Sequence, residues 1–194
     1  VQRFNFGDPE LELIGGTVVP GHKGRALELT GKGAVYKADS SGPRNPAFKP
    51  IVLGGWVYPQ KENGVILAQG GEGQGYSLYL EAGTPIFAVR SAGNLKQLEG
   101  PKIPLEKWTH MVVVLAADGK GTLYLDGKPA GKSSQLHLVS SQPADNLNLG
   151  ADGGSLVGNY DNPQPFVGKL EDVRLYWGNL RPKLIASWSQ LPGE

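Results

Sequence analysis

KWTHMVVVLAADGKGTLYLDGK, residues 107–128, decides the fold. Its first half, Trp108 to Ala116, is short and rich in β-branched side chains, which predicts a strand rather than a helix. From Met111 to Leu115 both alternating faces are apolar, the pattern of a strand covered on both sides. Asp118-Gly119-Lys120-Gly121 reads as a turn, because glycine tolerates positive φ and Asp bonds its own backbone. The chain returns through Thr122 to Leu125, with Leu123 and Leu125 on one face and Thr122 and Tyr124 on the other. Asp126-Gly127 then supplies the favoured pair for a tight hairpin. An all-β domain with paired strands at its centre follows.

The rest of the chain repeats that grammar. Short apolar or alternating runs occur at Arg3–Phe6, Leu11–Ile14, Thr17–Val19, Gly24–Leu29, Ala34–Tyr36 and Ile51–Tyr58. They continue at Gly64–Ala68, Gly75–Leu80, Pro85–Arg90, Leu136–Val139, Leu147–Leu149, Phe166–Leu170 and Glu171–Trp177. Asp39–Pro50 reads as a surface loop with its prolines, Gln69–Gly75 as a glycine loop and Gly150–Pro165 as a long polar loop. Leu180–Trp188 is the one short helical candidate, with Pro182 near its start, where proline is tolerated. Strands recurring at this spacing predict a sandwich or jelly roll.

Composition bounds the function. The 29 Gly and 15 Pro of the 194 residues fall between apolar runs, as turn residues do. With 39% hydrophobic residues, a chain this long buries roughly 70% of its unfolded surface and needs no cross-links. A net charge of +1 argues against a nucleic-acid binder held by phosphate contacts. No apolar run approaches the ~20 residues of a membrane span, so no membrane insertion is expected. The absence of Cys removes disulfides, thiolate metal sites and cysteine nucleophiles while leaving the compartment open. No targeting signal is visible from Val1 onward, and the sequence reads as one domain, 1–194, excised from a longer multidomain protein.

Six pieces in order carry a resemblance: ALEL near residue 26, LGGWVYP (53–59), ILAQG (66–70) with GYSLYL (75–80), WTHMVVV (108–114), LYLDGK (123–128) and FVGKLEDVRLYW (166–177). Together they resemble the laminin-G-like, concanavalin A-type jelly roll, over roughly Phe4 to Trp188. The resemblance implies two antiparallel sheets packed face to face, with at most one short helix near the C-terminus. It also implies an extracellular or periplasmic location and a role in binding glycans or proteins rather than in chemistry. A narrower set, Gly64–Gly70 through Tyr76, Phe87–Arg90, and Val157–Tyr160 with Pro163 and Phe166, resembles a laminin-G-like region appended to bacterial secreted sulfatases. That implies an accessory domain beside a catalytic domain.

Catalytic signatures are weak. Glycosidases on such folds need two carboxylates about 5–10 Å apart across a sugar. The approach to that pattern is Glu10-Leu11-Glu12, beside Pro9, which also reads as a solvated turn. His110 lies within the central strand and reads as a packing or hydrogen-bonding residue, while His22 and His137 stand alone. No G-x-S-x-G elbow occurs. Gly131-Lys132-Ser133 lacks the earlier glycine and the helix of a phosphate loop.

Two site chemistries remain. Relatives of the resembled fold hold one structural calcium ion where first and last strands meet, which here implies Glu171 or Asp172 facing Asn5 and Asp8. Hard cations take six to eight oxygens. Against this stands alternation, which turns only one of two neighbouring carboxylates to a given face, and the competing reading is a salt bridge to Arg174 or Arg3. For a ligand, Asp152, Asn159, Tyr160, Asp161 and Asn162 gather in the long polar loop; amides and carboxylates meet sugar hydroxyls, and an aromatic ring stacks on a pyranose. The competing reading is a polar connection bounded by prolines. Trp56 and Trp108 are expected in the core, with Trp177 and Trp188 either exposed or packing the terminal segment. The expected function is a non-catalytic accessory module of an exported hydrolase, taking a polysaccharide or glycoprotein glycan, or an adjacent catalytic domain, as partner. The alternatives are a structural domain without a ligand and a concanavalin-type glycoside hydrolase.

Overall fold

The computed structural model describes residues 2–4, 6, 12–133, 135–161, 164–178, 183 and 187. Strands run in order as Gln2–Phe4 (β1), Thr17–Pro20 (β2), Arg25–Thr30 (β3), Tyr36–Ala38 (β4), Ile51–Pro59 (β5), Gly64–Gly70 (β6) and Gly75–Glu81 (β7). They continue as Thr84–Ser91 (β8), Asn94–Glu99 (β9), Thr109–Leu115 (β10), Gly121–Leu125 (β11), Lys128–Ser133 (β12), Leu147–Leu149 (β13) and Val167–Trp177 (β14). One sheet has the order β12-β11-β10-β5-β14-β3-β2, with β1 also on β14; the other has β4-β13-β6-β7-β8-β9. All strand pairs are antiparallel, giving the expected two-layer all-β sandwich.

Between the layers, alternation sends Leu53 and Val57 of β5, Met111 and Val113 of β10, Leu78 and Leu80 of β7 and Phe87 and Val89 of β8 into one core. Each such side chain, fully buried, contributes on the order of 1.5–3 kcal/mol. Hairpins at Ala82-Gly83, Ala92-Gly93 and Asp126-Gly127 have positive φ at both central residues, the turn that matches strand twist. Asp126 fixes the last one by accepting the His110 N–H at 2.9 Å.

Several expectations change in the structure. Leu136–Val139 is not a strand, although Leu136 and Val139 are buried; His137 at φ 63° breaks the extended backbone between them. Glu12–Ile14 is not a strand either, and Leu11 lies outside the described residues. Two unforeseen strands, β9 and β12, are sheet edges. Their polar sequences NLKQLE and KPAGKS carry no apolar alternation, and lysine and proline are what edges tolerate. The loop 39–50 contains a single 3₁₀ turn, Gly42–Arg44. Of the helical candidate 180–188, Lys183 and Ser187 are helical and the remainder lies outside the described residues.

Val167–Trp177 is one strand with a bulge. Opposite β5 the register shifts between Glu171 and Arg174, and Asp172 takes φ 50°. A Cβ on Gly55 would stand 2.9 Å from the Cα of Val173, so the second glycine of LGGW gives the bulge its room. No helix among the described residues is long and apolar enough to cross a membrane.

Candidate functional site

The outward face of the second sheet positions the site. Alternation turns Ser77 and Tyr79 of β7, Ile86, Ala88 and Arg90 of β8, and Leu95 and Gln97 of β9 away from the main core. The loop 150–161 lies over this face and seals it with Val157 and Tyr160, which join Val65, Ala68, Tyr79, Ile86 and Ala88 in a second apolar cluster. Tyr160 meets Tyr79 edge-on, with ring centroids 4.6 Å apart at 70°. Gln97 Nε2 donates to the Tyr79 hydroxyl at 2.6 Å. Gly158 is required beneath Tyr160, because a Cβ there would stand 2.2 Å from the ring.

Asp152 is the internal strut of the loop. Its side chain is buried, and Oδ2 accepts from the Val157 N–H at 3.1 Å and the Tyr160 hydroxyl at 2.6 Å. Among the described residues, no hydrogen bond of normal geometry reaches Oδ1 or the buried hydroxyl of Ser77. Desolvation pushes the Asp152 carboxyl above the usual carboxylate range, and burial likewise raises the Tyr160 phenol. The second strut is Asp145, whose Oδ2 accepts from Ser155 Oγ at 2.6 Å and from its N–H at 3.1 Å. Gly71 leaves room for that contact; a Cβ there would stand 1.8 Å from Ser155 Oγ.

Two hollows flank the Gly153–Ser155 segment. One, of about 240 Å³, is lined by Lys37, Asp145, Asn146 and Asn148. The other, of about 360 Å³, opens between Glu72, Arg90, Ser155, Leu156, Asn159 and Tyr160. The larger is in the size range of small-ligand sites and mixes charged, amide, hydroxyl and apolar groups. Of the residues expected for a ligand, Asn159 is exposed on this hollow and Tyr160 lends it a ring edge. Asp152 lies beneath, Asp161 is exposed with its N–H donating to Gln164 Oε1 at 3.1 Å, and Asn162 falls outside the described residues. Sequence reasoning missed Glu72, Ser155 and above all Arg90. Its signal was an arginine sharing a strand face with Ile86 and Ala88.

The other expected site takes a different form. Asn5 and Asp8 lie outside the described residues. Glu171 is buried and accepts the N–H groups of His22 at 2.5 Å and Lys23 at 2.9 Å. Asp172 accepts from Arg3 Nε at 2.8 Å and is gripped by Arg174 through Nε at 2.9 Å and Nη2 at 2.5 Å. The bulge thus brings both carboxylates to the outer face of the first sheet, which strict alternation forbids. Their oxygens accept here from amides and guanidinium groups, the salt-bridge arrangement at Asp172 among them. No group of three His, Asp or Glu among the described residues has metal-ligand spacing. Beside them Trp56 packs on His22 (4.3 Å) and His110 (5.0 Å), with Lys23 over its ring at 4.8 Å. Trp56 is buried as expected, whereas Trp108 sits half-buried on Tyr58 outside the main core.

A laminin-G profile described as the concanavalin A-like lectin/glucanases superfamily matches residues 45–186. The chain belongs to the concanavalin A-like lectin/glucanases superfamily. No curated protein matches its sequence. Within this superfamily's fold it is similar to the binding domain of Paraclostridial Mosquitocidal Protein 1, at 14% identity and TM-score 0.71, over 91% of this chain and 46% of that one. It thus spans about half the length of that domain. It is also similar to domain 4 of AbnA, a GH43 extracellular arabinanase from Geobacillus stearothermophilus, solved in complex with arabinotriose (22% identity, TM-score 0.68, 91% and 82% covered). The Ruminococcus gnavus IT-sialidase CBM40 bound to α2,3 sialyllactose is similar at 17% identity and TM-score 0.63, over 84% of this chain and 96% of that one. At these identities the likeness is one of fold.

Proposed function

We propose that this domain is a non-catalytic glycan-binding module of an exported hydrolase. The observation that carries the reading is the hollow of about 360 Å³ lined by the polar Asn159, Ser155, Glu72 and Arg90 together with Leu156 and Tyr160. Hydroxyl-rich ligands need fixed amide and carboxylate partners plus an apolar contact for the ring faces, and the buried Asp152 with the half-buried Asp145 holds the loop that supplies them. Similar folds occur as a domain of an extracellular arabinanase and as the CBM40 of a sialidase, which supports a place beside a catalytic domain outside the cell. The motif resemblance to sulfatase-associated regions makes a sulfatase the first hydrolase to test. The buried carboxylates among the described residues, Asp152 and Glu171, are held by protein donors on opposite sheets, an arrangement that favours binding over hydrolysis.

Glycan-array screening of the domain, followed by calorimetry on the best hit, tests this. Saturable binding weakened by Asn159→Ala without cleavage of the bound glycan is expected. A flat array would sink the reading and leave a structural domain that packs on its neighbour.

A further inference from the structure

We infer that the hollow selects acidic glycans, gripping a sugar carboxylate or sulfate ester with the guanidinium of Arg90; this rests on the glycan-binding reading above. Arg3 and Arg174 both pair with Asp172, and Arg44 pairs with Asp39. Arg90 makes no ion pair among the described residues. It donates instead from Nε to the Val157 carbonyl at 2.6 Å and from Nη1 to the Gly93 carbonyl at 3.1 Å. Those bonds fix the plane of the guanidinium and use two of its five N–H groups, and among the described residues no bond to Nη2 is seen.

The surroundings sharpen the charge. Arg90 is half-buried on the same strand face as Ile86 and Ala88, beside Leu95 across the ladder, so its strand-side neighbours are apolar. A cation held there by neutral carbonyls gains from a compensating anion, and planar two-point donors suit oxyanions. Glu72, exposed on the opposite rim, forms no ion pair with Arg90. It accepts hydroxyls and disfavours a bare anion, while Ser155 and Asn159 add neutral donors. The combination favours an anionic group on a hydroxylated ring.

The test uses an array of uronate and sulfated oligosaccharides, each beside its carboxyl-reduced or desulfated counterpart, with neutral glycans included. The hits are expected among the acidic members, to weaken roughly 10- to 100-fold once the anion is removed, and to weaken as NaCl is raised. Arg90→Met should lose binding. Arg90→Lys, which keeps charge without the planar edge, should retain a reduced part of it, with circular dichroism and Tm confirming both folds. Hits confined to neutral glycans, or equal binding by each acidic glycan and its neutral counterpart, would overturn the inference while leaving glycan binding intact. Wild-type binding by a folded Arg90→Met would do the same. An array with no hits overturns both.

Discussion

Tyr160 donates its hydroxyl hydrogen to Asp152 Oδ2 at 2.6 Å, and among the described residues no hydrogen bond of normal geometry reaches the other, buried oxygen of that carboxylate. Burial raises the carboxyl above its ordinary value of 3.8, so the folded protein keeps the proton to higher pH than the unfolded chain. Stability contributed by the protonated form is present at low pH and declines as pH rises through the raised value. Asp152→Asn keeps an acceptor toward Tyr160 and cannot ionise. The Tm advantage of the Asn variant over wild type should therefore grow as pH climbs from about 4 toward neutrality. Asp152→Ala should cost about 1–3 kcal/mol for each donor left unsatisfied, read by denaturant unfolding.

His110 gives the opposite slope. Its side chain is buried against Trp56, Nδ1 has no partner among the described residues, and desolvation lowers its pKa from 6.5 to about 4, outweighing the attraction of Asp126. Stability is full above 6.5 and is lost as pH falls toward 4, by at most roughly 3 kcal/mol. Imidazole titration by NMR should show the depressed value. Histidine→Gln at 110 should flatten the acid limb of the Tm profile, and an unchanged limb would remove His110 as its cause.

Glu171 holds the turn at His22 and Lys23 against the bulged last strand. Glu171→Ala leaves two amides without acceptors and should destabilise the domain by about 2–5 kcal/mol. Since Glu171 and Asp172 are already engaged, millimolar calcium should leave the wild-type Tm unchanged. A calcium-dependent rise abolished by Glu171→Gln would show that the ion displaces the amides.

Asn159 tests the hollow without disturbing the core, because it is exposed. Asn159→Ala should weaken glycan binding roughly tenfold with a Tm within about 1 °C of wild type. A fall in Tm with binding retained would assign Asn159 to the loop rather than to the ligand.

The layers of the sandwich were legible because strand periodicity is local: apolar alternation in β5, β7, β8 and β10 and the turn pairs Ala82-Gly83 and Asp126-Gly127 are set by neighbouring residues. The edges β9 and β12 were not, since edge strands carry no buried pattern to read. The loop 150–161 was recognised as polar and rich in sugar-binding residue types. That Asp152 and Tyr160 turn inward while Asn159 stays out depends on the sheet face beneath, which lies far away in sequence.

Arg90 makes the same division. Its residue type and strand face could be read from IFAVR, but its setting could not, because the Val157 carbonyl reaches it only when the loop 150–161 folds over the sheet. Likewise the two neighbouring carboxylates at 171 and 172 share a face because a bulge opposite Gly55 breaks alternation, and a bulge is decided by pairing between strands. Local pattern thus determined which segments become strands and turns. Long-range packing alone decided which polar groups were satisfied inside and which remained for a ligand.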